Sequence, residues 1–227
     1  MAKTTDVIVV GGGVNGTCIA YHLAQRGASV TLVEKDNIAA GPTGLSCGII
    51  RQHYSHPITA SIALAALRFF ENFEDLVGGD CDFRQTGYIF AAGPDTIDTL
   101  KANVALQQSL GINTSVISVE ELRELVPGAA IDGIVGAAYE PESGYADPYS
   151  TSVAFANRAE ELGAEVLIGT EVRSVIVEGG KARGVVTNQG RLEAASVVLA
   201  TGPWSSRLAK LFGIDLRSLA LLRMALA

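Results

Sequence analysis

The sequence predicts an α/β fold in which a parallel sheet is joined to a three-stranded antiparallel meander. An apolar run at 6–10, apolar residues at helical spacing over 14–26 and a β-branched run at 29–33 together predict a βαβ unit. Three strand-like runs between residues 171 and 194 are separated by short glycine-containing turns, which predicts the meander. The 227 residues are 48% hydrophobic and 18% charged, so a substantial core can form.

Amphipathic periodicity predicts the elements that follow the βαβ unit. A helix is expected over 57–76, where the glycine pair 78–79 ends it. The apolar side of this helix is formed by Ile58, Ile62, Leu67, Phe69, Phe70 and Phe73. A strand over 87–92 and a helix over 96–110 come next.

Capping residues mark two more helices. Ser118 and Glu121 have the spacing of a capping box, which predicts a short helix that Pro127 closes. Asp147 and the proline after it predict the start of a helix that runs to Leu162. The strands of the meander are expected at 171–177, 182–187 and 191–194, and the last feeds into the run SVVLATG, residues 196–202.

Charge and hydropathy exclude several classes of partner. Lys and Arg number 17 and Asp and Glu 24, so the net charge is −7, and no basic block is present. Nucleic acid and anionic membranes are therefore not expected as partners. No apolar run reaches the ~20 residues that span a bilayer, and no export signal is recognised, which predicts a cytoplasmic protein without a membrane span.

Neither a disulfide nor a metal site is expected. Cys18, Cys47 and Cys81 are far apart and odd in number, so they are interpreted as packing residues. The three histidines show no ligand spacing supported by nearby carboxylates.

The first turn carries the pattern Gly-x-Gly-x-x-Gly at Gly11, Gly13 and Gly16, between a strand and a helix. The first glycine permits the tight turn, the second lets a diphosphate approach the backbone, and the third lets helix and strand pack closely. Val14 and Asn15 open the helix, whose N-terminal N–H groups favour an anion. The pattern predicts a Rossmann-like, dinucleotide-binding unit.

Glu34 supports this interpretation and narrows the choice of dinucleotide. It ends the second strand, close to the ~20 residues after the glycines at which a carboxylate binds ribose hydroxyls. A 2′-phosphate would favour arginine there, which argues against NADP. The glycine pattern itself leaves FAD and NAD open, because both contain adenosine diphosphate.

Several blocks in order resemble the flavoproteins of the D-amino-acid oxidase and sarcosine oxidase family, in particular sarcosine oxidase beta subunits. They are the run from Asp6 to Lys35, the small-residue segment 41–48, QTGY at 85–88, EPESGYADP at 140–148 and ATGPW at 200–204. The resemblance covers the chain to about Gly213. After residue 33, a nicotinamide-binding fold would normally continue with further βα units, which this sequence lacks.

The resemblance implies a discontinuous FAD-binding domain, 1–80 and 143–215, with helices on one face of its parallel sheet and the meander on the other. A partial α+β substrate domain, 81–142 and 216–227, is inserted. The cofactor is expected to be FAD, bound without a covalent link, because Leu45 stands near the position where some relatives carry a tethering histidine. The residues implied in FAD binding, besides the glycine turn and Glu34, are Lys35, Thr43, Gly44, Ser46, Val172 beside the adenine, Thr201, Gly202 and Trp204.

Arg51 is the residue for which the resemblance implies contact with the substrate. In sarcosine-oxidase-like members an arginine after paired isoleucines binds the substrate carboxylate, and a guanidinium suits this bidentate task. The alternative is a surface arginine paired with a nearby acid. The stretch His53-Tyr54 and Tyr145 could also line this site, but ordinary packing is the favoured interpretation of each.

The implied activity is oxidation of the carbon–nitrogen bond of an amino acid or an N-methylated or secondary amino acid, such as sarcosine or proline. Members of the family are longer than this sequence, so a fragment, or a chain completed by another subunit, is expected. Two alternatives stay open at this point: a non-catalytic FAD-binding subunit and an NAD-dependent dehydrogenase.

Overall fold

The computed structural model describes residues 4–210 and 213–216. The chain forms two compact units, the first comprising residues up to Ser46, Val77–Gly79 and residues from Pro148 onward, and the second Cys47–Leu76 and Asp80–Asp147. The predicted FAD domain, 1–80 and 143–215, differs from the first unit mainly in residues 47–76, which belong to the second. The assignment of these segments to an FAD-binding and a substrate domain stays a prediction. Residues 217–227 of the predicted substrate domain lie outside the described part of the chain.

The elements follow one another as strands and helices of moderate length. In chain order they are β1 (Thr4–Val10), α1 (Val14–Gln25), β2 (Val30–Val33), β3 (Ile49–Ile50), α2 (Pro57–Glu71), α3 (Phe73–Val77), β4 (Tyr88–Ala92), α4 (Ile97–Ser109), β5 (Ser115–Ile117), α5 (Val119–Leu125), β6 (Gly136–Glu140), β7 (Gly144–Tyr145), α6 (Pro148–Glu161), β8 (Glu165–Leu167), β9 (Val172–Glu178), β10 (Lys181–Thr187), β11 (Gly190–Leu199) and α7 (Ser205–Lys210).

The first unit is built on a six-stranded sheet with the order β8-β2-β1-β11-β10-β9. The first four strands are parallel, and β10 and β9 are antiparallel neighbours. Ile8, Val10 and Val33 are buried with Val185 of the meander in one apolar cluster, as expected for strands covered on both faces. The α/β fold class is confirmed.

The meander does not stand apart from the parallel strands, because β11 belongs to both. Its first residues, Gly190 to Glu193, pair antiparallel with β10, and Glu193 to Leu199 pair parallel with β1. The runs expected at 191–194 and 196–199 are therefore a single strand of 10 residues. On the helical layer, Tyr21 of α1 packs on Phe155 of α6 with ring centroids 5.5 Å apart.

The second unit contains a three-stranded antiparallel sheet with the order β4-β6-β5, and a two-stranded ribbon of β3 and β7. Leu100 and Val104 of α4 pack on Ala92 and Ala138 of the larger sheet. Leu122 of α5 is buried with neighbouring residues of the same sheet. The helices expected at 96–110 and after Ser118 are confirmed as α4 and α5.

The helix expected over 57–76 is interrupted at Asn72. The Asn72 side chain donates to the carbonyl of Arg68 at 2.8 Å, and its backbone leaves the helical conformation, so α2 ends and α3 begins. Such local hydrogen bonds are the reason that asparagine competes with helix geometry. Ile58 and Ile62, expected on the buried side, are 65% and 64% exposed.

Two further observations bear on the sequence-based expectations. Cys81 is buried and Cys18 half-buried, but Cys47 is exposed, so its interpretation as a packing residue is wrong. Within the described residues, none of the helices is both long and apolar enough to cross a membrane.

The capping box of α5 predicts an acid-dependent contribution to stability. Hydrogen bonds from the Ser118 backbone N–H and then its side chain lower the pKa of Glu121. The stability that the ionised Glu121 adds is therefore present above the pKa that Glu121 has in the unfolded chain. It is lost as pH falls through the lower pKa of Glu121 in the folded protein. Glu121→Ala should lower the urea midpoint of unfolding at pH 7, and the difference should shrink towards about pH 4.

Glu120→Ala is the matched control, because Glu120 is an exposed acid of the same helical turn outside the box. Its effect on the midpoint should be smaller at every pH. Equal effects of the two substitutions would contradict the prediction.

Candidate functional site

The glycine turn after β1 has the geometry that its spacing predicts. Gly11 has φ of +113°, a conformation that L side chains rarely adopt, and an added Cβ would lie 2.5 Å from the carbonyl oxygen of Ala200. At Gly16 an added Cβ would collide with the carbonyl of Gly11. These two glycines therefore let β1, α1 and β11 approach one another closely.

Gly13 differs from the other two because an added Cβ would meet a side chain and not the backbone. Its backbone is extended, and an added Cβ would meet only the Thr43 side chain, with Oγ1 at 3.1 Å. Gly13 is the N-cap of α1 and has no side chain of its own to cap the helix, whose first turn contains no acidic residue. This end of α1 combines N–H groups that lack a helical partner with the positive end of the helix dipole, which favours an anion.

The small-residue segment lies against the same turn. The N–H of Val14 donates to Thr43 Oγ1 at 3.2 Å, and the N–H of Ala39 donates to the carbonyl of Gly12. Gly44 is exposed, and its N–H donates to the carbonyls of Ala39 and Gly41. The structure thus brings Thr43 to the start of α1, whereas Gly44 and the exposed Ser46 are placed beyond it on the same segment.

Glu34 lies directly beside the glycine turn. Its Oε2 accepts from the N–H of Gly12 at 2.6 Å, and its Oε1 from the N–H of Asp36 at 2.9 Å. Its backbone carbonyl accepts from Thr170, two residues before Val172. Val172 itself packs against the apolar cluster of the sheet. The carboxylate is thus close to the diphosphate side of the turn, as a ribose-binding acid requires.

The end of β11 completes this side of the first unit. Ala200 donates to the carbonyl of Val10, which places residues 201–204 beside the end of β1. The ring of Trp204 is 48% exposed and lies 5.5 Å from Lys35 Nζ. Gly41 approaches the same ring, since an added Cβ would be 3.4 Å from it.

A cleft of about 440 Å³ opens between α1 and the end of β11, and it includes two predicted residues, Asn15 and Gly202. Its other lining residues, which the sequence did not indicate, are Cys18, Ile19, Leu199, Ala200 and Ser205. Burial raises the pKa of the Cys18 thiol, which keeps it protonated. Open glycine backbone, a helix N-terminus and a neighbouring carboxylate fit the phosphate and ribose groups of a dinucleotide.

Arg51 lies in the second unit and is held by two tyrosines. Its Nη1 donates to the hydroxyl of Tyr88 at 2.9 Å, and its guanidinium carbon is 5.3 Å and 5.6 Å from the ring centroids of Tyr54 and Tyr88. The hydrogen bond to Tyr88 raises the pKa of Arg51, so the cation persists. Among the described residues, none forms an ion pair with Arg51, contrary to the alternative of a surface arginine paired with an acid.

The guanidinium borders an apolar groove of about 250 Å³ within the second unit. The groove is lined by Ile49, Ile50, Arg51, Tyr54, Thr59, Ile62, Ala63, Ala66 and Phe70. Arg51 is the charged member of this set, so the groove suits a small ligand with an anionic group and an apolar body. Tyr54 lines the groove, whereas Tyr145 is half-exposed in β7 opposite Ile49.

Tyr88 is a site residue that the sequence analysis did not assign. Its contact with Arg51 joins residues 37 positions apart, so the tertiary fold, and no local sequence pattern, brings them together. The Thr-Gly pair before it marked the start of a strand but not a function.

Comparison with known proteins identifies relatives of mixed activity. The chain is 30% identical over 223 residues to sarcosine oxidase subunit beta of Arthrobacter sp., covering 94% of this chain and 55% of that one. It is 35% identical over 233 residues to anaerobic glycerol-3-phosphate dehydrogenase subunit A1 of Haloferax volcanii, covering 95% and 39%. The structure of L-proline dehydrogenase from P. horikoshii superposes with a TM-score of 0.89 at 33% identity, covering 95% and 57%.

The chain spans between a quarter and just over half the length of the curated relatives that it matches. Residues 6–224 match the family described as FAD dependent oxidoreductase (DAO). This match decides between the two cofactors that the glycine pattern left open, in favour of FAD over NAD. The chain belongs to the family of FAD-dependent oxidoreductases.

Proposed function

We propose that the protein containing this chain is an FAD-dependent enzyme that oxidises the carbon–nitrogen bond of an amino acid or an N-methylated or secondary amino acid. The observation that carries this proposal is Arg51, a cation with tyrosine contacts and no acidic partner among the described residues, at the edge of an apolar groove. Such a site suits the carboxylate of a small amino acid. The relatives named for sarcosine and proline support the same class.

The first unit would hold the cofactor. The N–H groups at the start of α1 would bind the diphosphate, Gly13 would let the diphosphate approach the backbone, and Glu34 would accept hydrogen bonds from the ribose. Thr43, Thr201 and Trp204 are proposed to contact the rest of FAD, and Val172 the adenine. The segment 41–48 offers no histidine for a covalent link.

The chemistry belongs to FAD, which when bound accepts a hydride from the carbon next to the substrate nitrogen. The chain's residues contribute binding and orientation. Arg51 holds the substrate carboxylate in a bidentate fork, its guanidinium kept in place by Tyr88 and Tyr54. The apolar walls of the groove exclude water from the body of the substrate.

A second candidate is a subunit that binds FAD and acts with a partner chain. Two of the relatives are named as subunits, and one of them is named for glycerol 3-phosphate, whose anionic group is a phosphate. A panel of substrates separates oxidation of an amine from oxidation of glycerol 3-phosphate. The amine proposal requires that sarcosine or proline bleaches the flavin absorbance, and bleaching by glycerol 3-phosphate alone would contradict it.

Gly13→Ala is expected to weaken FAD binding without unfolding the protein. The extended backbone of residue 13 accepts alanine, but the methyl group would press on Thr43 Oγ1 at 3.1 Å beside the N-terminus of α1, where the diphosphate is proposed to bind. The dissociation constant for FAD should therefore rise at least about tenfold. Titration of the apoprotein with FAD measures this dissociation constant, and urea unfolding of the same apoprotein measures the stability of the folded state.

Gly16→Ala is the contrasting variant, since its methyl group collides with the carbonyl of Gly11 in the folded chain. It should lower the unfolding midpoint as well as FAD binding. Full FAD affinity in Gly13→Ala would show that the diphosphate does not lie against this residue.

Arg51→Ala is expected to raise KM for carboxylate substrates by roughly 10- to 100-fold, the loss of a charged hydrogen-bonded pair. Arg84→Ala is the control, because Arg84 is an exposed arginine of the same unit that pairs with Asp82. Steady-state kinetics of the FAD-loaded protein test both variants. An unchanged KM in Arg51→Ala would refute the assigned role.

A further inference from the structure

The segment that carries Arg51 and Tyr54 is fixed from behind by two buried side chains. Residues 51–54 follow β3 outside any helix or strand. The N–H of Gln52 donates to Glu140 Oε2 at 2.9 Å, and Gln107 Nε2 donates to the carbonyl of Tyr54 at 3.0 Å. Because the segment has no ladder partner, these contacts take over the role of regular backbone hydrogen bonds.

Glu140 connects both sides of the guanidinium. It ends β6, where it stands directly opposite Tyr88 of β4 in the strand register. Tyr88 accepts from Arg51, while the carboxyl group of Glu140 holds the backbone next to Arg51. A single residue therefore contacts the backbone next to the arginine and pairs in register with the tyrosine that the arginine contacts.

The surroundings of Glu140 show a prepared site for its carboxyl group. The residue is 0% exposed, and Ser143 Oγ also donates to Oε2 at 2.9 Å. The other oxygen is 3.5 Å from Nδ1 of the buried His53, whose ring stacks on Phe90 of β4 at 4.7 Å. Both donors converge on Oε2, the oxygen that accepts from Gln52, whereas Oε1 has no hydrogen-bond partner among the described residues. Because burying a carboxyl group is costly, this arrangement favours a positional role for Oε2 over packing alone.

We propose that Glu140 is a positioning residue for Arg51: its carboxyl oxygen fixes the backbone of Gln52 and thereby aims the guanidinium at the substrate carboxylate. This inference rests on the proposed function of Arg51. Glu140 itself is fully enclosed within the second unit, and it acts through Arg51 without touching the substrate.

The test compares Glu140→Gln with Glu140→Asp in the FAD-loaded protein. Glutamine keeps an acceptor oxygen at the same distance from the backbone, whereas aspartate keeps the carboxyl group but withdraws it by one methylene from Gln52. Glu140→Asp should raise KM for sarcosine or proline by about tenfold or more with kcat changed less, and Glu140→Gln should stay within about threefold of the parent KM. The urea midpoints of unfolding of all variants distinguish a loss of stability from a displaced Arg51 guanidinium.

Glu142→Ala is the matched control, because Glu142 lies two residues away and pairs with Arg68 on the surface. Its KM should not change. A parent-like KM in Glu140→Asp, or an increase in Glu140→Gln as large as in Glu140→Asp, would overturn the positioning role. If KM is unchanged in both Arg51→Ala and Glu140→Asp, the proposed function of Arg51 fails and the inference fails with it. If KM rises in Arg51→Ala but not in Glu140→Asp, only the role of Glu140 is rejected.

Discussion

The close approach of α1 to β1 and β11 is the constraint on which the rest of the first unit depends. Gly11 and Gly16 permit it, because any side chain at either position would meet backbone atoms. With the helix held there, its N-terminal N–H groups, the carboxylate of Glu34 and the hydroxyl of Thr43 lie around one turn. A binding surface for a polar anionic group follows from backbone packing, with few specialised side chains.

In the second unit, the guanidinium of Arg51 is held in place without an acidic partner among the described residues. An arginine beside an acid is already neutralised, whereas tyrosine rings and a hydroxyl orient the guanidinium without cancelling its charge. Behind the segment, Glu140 Oε2 accepts from the N–H of Gln52 and from Ser143 Oγ, and Gln107 Nε2 donates to the carbonyl of Tyr54. Polar groups in the interior and an unpaired cation at the groove are thus parts of one arrangement.

Local patterns in the sequence were sufficient for much of the fold and for the glycine turn of the candidate site. The βαβ unit, α4, α5 and the glycine turn depend on periodicity and spacing within short windows. The break at Asn72 escaped prediction, because it depends on one side chain bonding to the carbonyl of Arg68. Tyr88 and Glu140 escaped because their contacts with residues 51 and 52 span 37 and 88 positions, and no local pattern records strand register.

The dual membership of β11 has a consequence for how this chain can change over evolution. The turn at 179–180 can absorb extra residues, because an added Cβ at either glycine would meet nothing within 4 Å, whereas the turn at 188–190 is hydrogen-bonded to residues 169–171. An extra residue inside β11 would exchange the two faces of the strand for both of its neighbours at once, and would also displace residues 200–204. The length of this strand is therefore inherited as a unit, and insertions among descendants should collect at the 179–180 turn.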